Sequence, residues 1–391
     1  MPRRKKGVKG RGSVFPRKDG RWVAQFIVEE TGKPKHLYAS TEKEAYEKLD
    51  KALQEQKQGI LATGPNQQLG DYLNWWLEDV HKVTIRKSSY IRYRSALDKH
   101  ILPELGQIQL RRLSTRTIQA FYNKKLKEGQ SPSSVLSLHK VLHGGLKRAV
   151  KLRYLPFNPS DGVSLPSGEP EREGQALTLE QARHILKVAH GHWLEAFIAL
   201  ALSTGLRHGE LTSLRWSDIA YDQKMQVCIL SVRHTVGYYP IYKFLEGDPK
   251  TRKGRRVIPL VPAVYKLLEE HRQNQDDARQ EAGEKWKDQG LVFPNRHGDF
   301  LYPNIARATF YRLLDKARRT PDESGQLVPI PDIHIHDLRH TASTLWQSLG
   351  ISEKMAQELL GHSEVEMTRN VYTHIIPAMQ QEFVERLNSL F

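Results

Sequence analysis

Two stretches of this sequence are poorly suited to a core, and they set what the rest can fold into. Gly59 to Asn66, with Gly64-Pro65 inside it, and Ser160 to Gly174, rich in proline, glycine and charge, both read as linkers. The chain has 391 residues, more than one compact domain usually holds. Three pieces with separate cores are therefore expected, over 1–62, 66–165 and 175–391.

The first piece starts basic. Residues 1–18 hold eight Lys or Arg and no acid, among them Arg3, Arg4, Lys5, Lys6 and Arg17. Strand-like runs follow at Ser13-Val14-Phe15, Trp22 to Val28 and His36-Leu37-Tyr38, with turns at Asp19-Gly20 and Thr31-Gly32. Thr41-Glu42-Lys43-Glu44 has the form of a capping box and opens a helix to about Gln58. The result is a small βββα module with Arg17, Lys18, Arg21, Lys33 and Lys35 on and beside its sheet. A three-stranded sheet of this width can lie in the major groove of DNA.

The second piece carries helical periodicity throughout. Leu69, Tyr72, Leu73, Trp76 and Leu77 form one apolar stripe, and Trp75 and Trp76 both read as core. Lys87 to Arg94 interleaves basic and aromatic residues, which makes Lys87, Arg92 and Arg94 candidate DNA contacts. Further helices are expected over about Thr115 to Lys127 and from Ser131-Pro132 through Val150. This is an all-α bundle with a basic side. It contains no pair of groups spaced for catalysis, so it reads as a binding domain.

The chemistry gathers in the third piece. A capping box at Thr178 to Gln181 starts a helix, and the apolar run Leu194 to Leu202 makes a second, buried one that stops at Ser203-Thr204-Gly205-Leu206. Arg207 and Glu210 follow, three apart, so one helical turn sets them side by side. Strand-like Gln226 to Leu230 and Arg256 to Leu260 bracket a polar segment that puts Lys250 on or near a hairpin turn. His336 and Arg339 share a helix face, and His340 stands one residue further on. The run Ala356 to Leu360, stopped by Gly361, places His362 just past a helix end, and Tyr372 follows. Imidazole and guanidinium with a phenol in reach suit metal-free attack on a phosphodiester. The fold expected here is mixed and mainly α, with a small antiparallel sheet. The tail from Met379 to Phe391 is amphipathic and suited to docking on a partner surface.

Bulk properties agree with such a substrate. Lys and Arg number 60 against 44 acids, for a formal charge of +16, which favours a polyanionic partner. A single cysteine, Cys228, excludes an internal disulfide framework and fits a reducing cytosol; its strand-like surroundings read as inert core. No apolar run approaches the roughly 18 residues of a membrane span, and no apolar segment follows the basic start. The expected location is the cytoplasm, with no membrane partner.

Taken together, Thr204-Gly205-Leu206-Arg207-His208-Gly209-Glu210-Leu211, the Lys250-Thr251 turn before a strand, His336-Asp337-Leu338-Arg339-His340, Leu360-Gly361-His362 and Tyr372 resemble the tyrosine recombinases of the phage-integrase type. Order and spacing agree over essentially the whole chain. The βββα module looks like the AP2-like arm-binding domain of integrases from Gram-positive phages and conjugative transposons. The bundle looks like their SAM-like core-binding domain, and the third piece like the DNA breaking-rejoining fold. The resemblance implies Tyr372 as nucleophile and Arg207 and Arg339 as the grip on the non-bridging oxygens. It further implies Lys250 or His336 as the leaving-group acid and His362 as a further donor, with Glu210 and His340 supporting. No metal and no other cofactor is implied. The implied partners are double-stranded arm and core attachment sites and a homotetramer on DNA in a bacterial host. An excisionase or directionality factor and a host DNA-bending protein complete the set.

Other readings stay open at this level. His336 and His340 have the spacing of a helix-face metal pair, but no third ligand is recognisable and Arg339 lies on the same surface. A metal-dependent nuclease would carry a carboxylate cluster near these histidines. A catalytically silent DNA-binding regulator of the same fold would have no need of a phenol beside a phosphate clamp.

Overall fold

A computed structural model describes residues 12–29, 32–58, 61, 63–167, 175–222, 227–249, 254–361, 383–388 and 390–391. These fall into two compact units that part at about residue 171. The first unit holds two of the three expected cores.

In the first core, β1 (Ser13–Pro16), β2 (Trp22–Ile27) and β3 (Pro34–Ala39) form an antiparallel sheet in the order β1-β2-β3. Ala24 stands opposite Val14 on one side and Leu37 on the other. The first turn falls at Asp19-Gly20, where Gly20 takes φ +82°. Helix α1 (Glu42–Lys57) covers one face and buries Ala45, Leu49 and Ala52 against Ala24, Phe26 and Ala39. The Thr41 hydroxyl accepts the N–H of Glu44, but the Glu44 carboxylate takes the N–H of Ser40, so the reciprocal half of the box is shifted by one residue.

The second core is helical. Helix α2 (Leu69–Trp75) runs on through a wide turn to His81, α3 (Lys87–Ala96) does the same to Ile101, and α4 (Leu102–Leu105), α5 (Thr115–Lys127) and α6 (Pro132–Lys151) complete the bundle. Gly145 lets α6 approach α2 closely, since a Cβ there would lie 2.6 Å from Leu73. The Tyr72 hydroxyl donates to the Gly145 carbonyl at 2.8 Å in the same contact. Trp76 is buried as expected; Trp75 is partly exposed and stacks on Tyr154 instead. Tyr72 and Trp76, four apart, take the inward positions and leave Trp75 beside the stripe.

The second unit is built around α8 (Trp193–Thr204), which is apolar on every side and almost wholly buried. Before it comes α7 (Leu179–Ala189), opened by a reciprocal Thr178–Gln181 box, and after it α9 (His208–Leu211). Strands β4 (Ile219–Asp222), β5 (Val227–Val232), β6 (Thr235–Tyr239), β7 (Lys243–Gly247) and β8 (Arg256–Pro259) follow. They make an antiparallel β4-β5-β8 sheet and a separate β6-β7 hairpin. That hairpin lies inside the segment read from sequence only as polar. Its turn runs through Lys243 at φ +56°, so no glycine or asparagine marks it. Helices α10 (Pro262–Ala282), α11 (Pro303–Arg319), α12 (Asp337–Ser348) and α13 (Glu353–Leu360) complete the unit.

The tail differs from expectation. Phe383, Leu387 and Leu390 are buried in the unit's own core, with Phe383 set edge-on against Trp346 of α12 at 5.2 Å. Arg386 donates to the Leu349 carbonyl at 3.1 Å. Among the described residues of the tail, the apolar face read as suited to a partner is satisfied within the chain. Cys228 is half-buried, and burial pushes its thiol pKa up, in keeping with an inert group.

Candidate active site

Gly205 ends α8 in the left-handed conformation, at φ +59°. A side chain there would be strained, and its Cβ would collide with Leu360. The chain therefore turns within two residues, and Arg207 emerges as the N-cap of α9. The Glu210 carboxylate accepts the Arg207 backbone N–H at 3.0 Å and its Nη1 at 2.9 Å. Glu210 is buried, whereas the Arg207 side chain stays 38 % exposed, so its remaining donors can serve a ligand. The i,i+3 pairing expected from sequence is present, with the acid as anchor and the arginine facing out.

Arg339 rises from the first turn of α12. Its Nη1 donates to the Gly205 carbonyl at 2.6 Å and its Nη2 to the Leu360 carbonyl at 2.7 Å. These oxygens lie at the C-terminal ends of α8 and α13, where helix dipoles favour a cation. Burial pushes the Arg339 pKa down to about 9, with the charges of Arg207 and Arg256 adding to this and Glu210 opposing. It remains a cation at neutral pH. His336, the N-cap of α12, stands exposed with its ring 5.7 Å from that of His340, which is also exposed. Desolvation lowers its pKa first, then the charges of His340, Arg339 and Arg207, against Asp337. Geometry gathers the three: Arg339 donates to the Gly205 carbonyl, two residues before Arg207, and His336 caps the helix from whose first turn Arg339 rises. A cleft of about 790 Å³ lies beside His336, lined also by His208, Tyr238, Tyr302, Arg307 and His334 among others.

Lys250, His362 and Tyr372 lie outside the described residues. Gly361, just before His362, ends α13 at φ +71°, the glycine stop read from the sequence. Among the described residues no group of three His, Cys, Asp or Glu could hold a metal ion, and no helix is long and apolar enough to cross a membrane.

One residue at the site escaped the sequence reading. Arg256, the first residue of β8, is only 7 % exposed in its side chain. It donates to Glu210 Oε2 at 3.0 Å and to the Leu359 carbonyl at 2.5 Å. A charge at a position that strand pairing buries was the available signal.

The candidate DNA contacts separate into groups. Arg3, Arg4, Lys5 and Lys6 lie outside the described residues. Arg17 and Arg21 both face the Tyr38 ring, at 5.5 and 5.8 Å, and both pair with Asp19. Lys87 and Arg92 are exposed on α3, a helix with no buried residue. Arg94 is engaged by Asp98, Asn74 and Glu78, which leaves it less available than its neighbours.

The sequence pattern of the phage integrase family matches residues 175–379, and that of the phage integrase N-terminal SAM-like domain matches 68–126. A tyrosine recombinase XerC-like protein of Caldanaerobacter subterraneus subsp. tengcongensis is 30 % identical over 374 residues, covering 91 % of this chain and 92 % of the relative. The Tn1549 transposon integrase, solved with circular intermediate DNA, shares the fold at TM-score 0.63 and 20 % identity, over 82 % of this chain and 99 % of that one. A lambda integrase tetramer solved on a Holliday junction superposes at TM-score 0.52 and 19 % identity, over 93 % and 95 % of the two chains.

Proposed function

The chain belongs to the phage integrase family, and on that premise we propose that Arg207, Lys250, His336, Arg339, His362 and Tyr372 form the active site of a site-specific DNA recombinase. The enzyme cleaves and rejoins DNA to integrate or excise a mobile element. The Tyr372 oxygen bonds to the scissile phosphorus, and the bond to the 5′-oxygen breaks. The phenol proton passes to neutral His336, and Lys250, or His336 once it carries that proton, protonates the 5′-oxygen, leaving a 3′-phosphotyrosyl link and a free 5′-hydroxyl. The link keeps the energy of the phosphodiester, so rejoining requires no ATP. Arg207 and Arg339 neutralise the charge that grows on the non-bridging oxygens, a task suited to planar guanidinium groups. Glu210 holds Arg207 in place.

The observation that carries this reading is the gathering of Arg207, Arg339 and His336 where α8 and α13 end and α12 begins. Divided as 1–62, 66–165 and 175–391, the chain presents an arm-binding module, a core-binding bundle and the catalytic domain. Its basic arm and the exposed Lys87 and Arg92 suit phosphate tracking. The working form is a homotetramer on two core sites in the bacterial cytoplasm, with a directionality factor and a host bending protein setting the outcome.

Nicked core duplexes, tiled across the DNA flanking the coding sequence and incubated in EDTA, test the reading. Wild type should form a covalent protein–DNA adduct on a denaturing gel, and Tyr372→Phe should form none. Tight binding without an adduct on any duplex would favour a silent regulator. His336 supplies a second check. Its lowered pKa keeps the imidazole neutral at physiological pH, the form able to accept the phenol proton. Adduct formation should therefore fall as pH drops below the ordinary histidine value of about 6.5. His336→Gln should be slower and lack that acid limb; an unchanged limb in the variant would remove His336 from proton transfer.

A further inference from the structure

Arg256 touches three separate parts of the site and its side chain is only 7 % exposed. Its Nη2 donates to Glu210 Oε2 at 3.0 Å, and its Nη1 lies 3.4 Å from Oε1. Nη1 also donates to the Gly254 carbonyl at 3.1 Å, four residues after Lys250. Nε donates to the Leu359 carbonyl at 2.5 Å, three residues before His362. One guanidinium therefore joins the segment of Arg207, the segment of Lys250 and the helix end that leads to His362. Strand pairing fixes where it starts, because Arg256 is opposite Val232 in the β5–β8 ladder.

The charge of Arg256 matters as much as its reach. Burial alone would raise the pKa of Glu210; the charge of Arg256, then its hydrogen bond, and the contacts with Arg207 outweigh this and hold the carboxyl below the usual range. The ionised carboxylate accepts three N–H donors from the two arginines, and protonation would turn one of its oxygens into a donor and remove the charge that holds them. A protonated Glu210 would hold Arg207 less firmly, and Arg207 is the group that meets the phosphate in the reading above.

We propose that Arg256 is a positioning residue for strand cleavage: it keeps Glu210 ionised, and so Arg207 in place, while tying α9 to the end of α13. The inference rests on the recombinase reading, and acts through Glu210 and Leu359 without contact to DNA.

The test is the rate of adduct formation on the tiled nicked duplexes as a function of pH, each variant divided by wild type. In Arg256→Gln the buried Glu210 loses its main counter-charge and its pKa rises. The ratio should then fall on the order of tenfold between about pH 8 and pH 6, as a buried carboxyl titrates. DNA affinity should stay within about twofold, because Arg256 is buried. Arg256→Gln/Glu210→Gln should give a low but flat ratio. Arg256→Lys should also be flat, since charge is restored, yet slower by on the order of tenfold, because an ammonium lacks the fork that spans Glu210 and Leu359. A purely structural role predicts a ratio independent of pH in every variant, and a flat Arg256→Gln ratio overturns the proposal. If Arg256→Gln does not fold, Arg256→Lys decides: cleavage at the wild-type rate overturns it. Wild type that forms no adduct on any duplex overturns the recombinase reading itself, and this inference with it. That outcome is distinct from an active wild type with a flat variant.

Discussion

Arg339→Ala should lose both its cleavage activity and a large part of the stability of its domain. The guanidinium is buried and serves the Gly205 and Leu360 carbonyls together. Each buried carbonyl left without a donor costs about 1–3 kcal/mol, and the vacated volume adds to this. A total near 4 kcal/mol would lower the melting temperature of a unit this size by roughly 10 °C. Cleavage should fall by on the order of a hundredfold or more, the usual consequence of removing a preorganised donor to developing charge. Arg339→Lys separates the two effects. It keeps a cation, so it should recover part of the stability, but one ammonium cannot span two helix ends in the same geometry. Thermal unfolding by circular dichroism beside the adduct gel reads both quantities. An unshifted melting temperature in Arg339→Ala would mean that the two carbonyls find other partners.

The second large effect is expected at Glu210. Glu210→Ala leaves Arg256 buried with its counter-charge gone and Arg207 without its anchor. Breaking a buried pair in this way costs about 3–5 kcal/mol, well above the value of a surface salt bridge. The loss should carry a pH signature. Because the folded-state pKa of Glu210 lies below its unfolded value, its contribution is fully present above the unfolded pKa of about 4.3. It is lost as pH falls from there through the lower folded value. The stability gap between wild type and Glu210→Ala should therefore be wide at pH 7 and narrow on acidification below about pH 4. Chemical denaturation at the two pH values measures it. A gap that widened towards acid would contradict the assignment of Glu210 as the ionised partner.

These residues differ in how far the sequence revealed them. Arg207 and Glu210 were legible because their contact is local, three residues apart within one turn. The same holds for the Thr178 box and the Gly361 stop, each a backbone requirement written in adjacent residues. Arg256 was not legible. Its partners lie 46 and 103 residues away, and only the pairing of β8 with β5 carries it between them. The β6-β7 hairpin was missed because its turn lacks the expected residues. The tail's amphipathic face was read correctly, but periodicity shows that a face will be covered and does not say by what. The same limit applies to Trp75, whose neighbours at the helical period took the inward places.

The two buried arginines have a further consequence, for the order in which this enzyme comes into being. Arg339 bridges residues 134 and 21 positions away, and Arg256 adds closures of 46 and 103. Contacts between such distant parts of a chain form late, since the entropy of closing the intervening loops is lost before they return anything. The setting of Arg207 and Arg339 is therefore among the last features to assemble. A full-length chain trapped half folded already carries its basic segments but lacks the long-range contacts that set Arg207, Arg256 and Arg339.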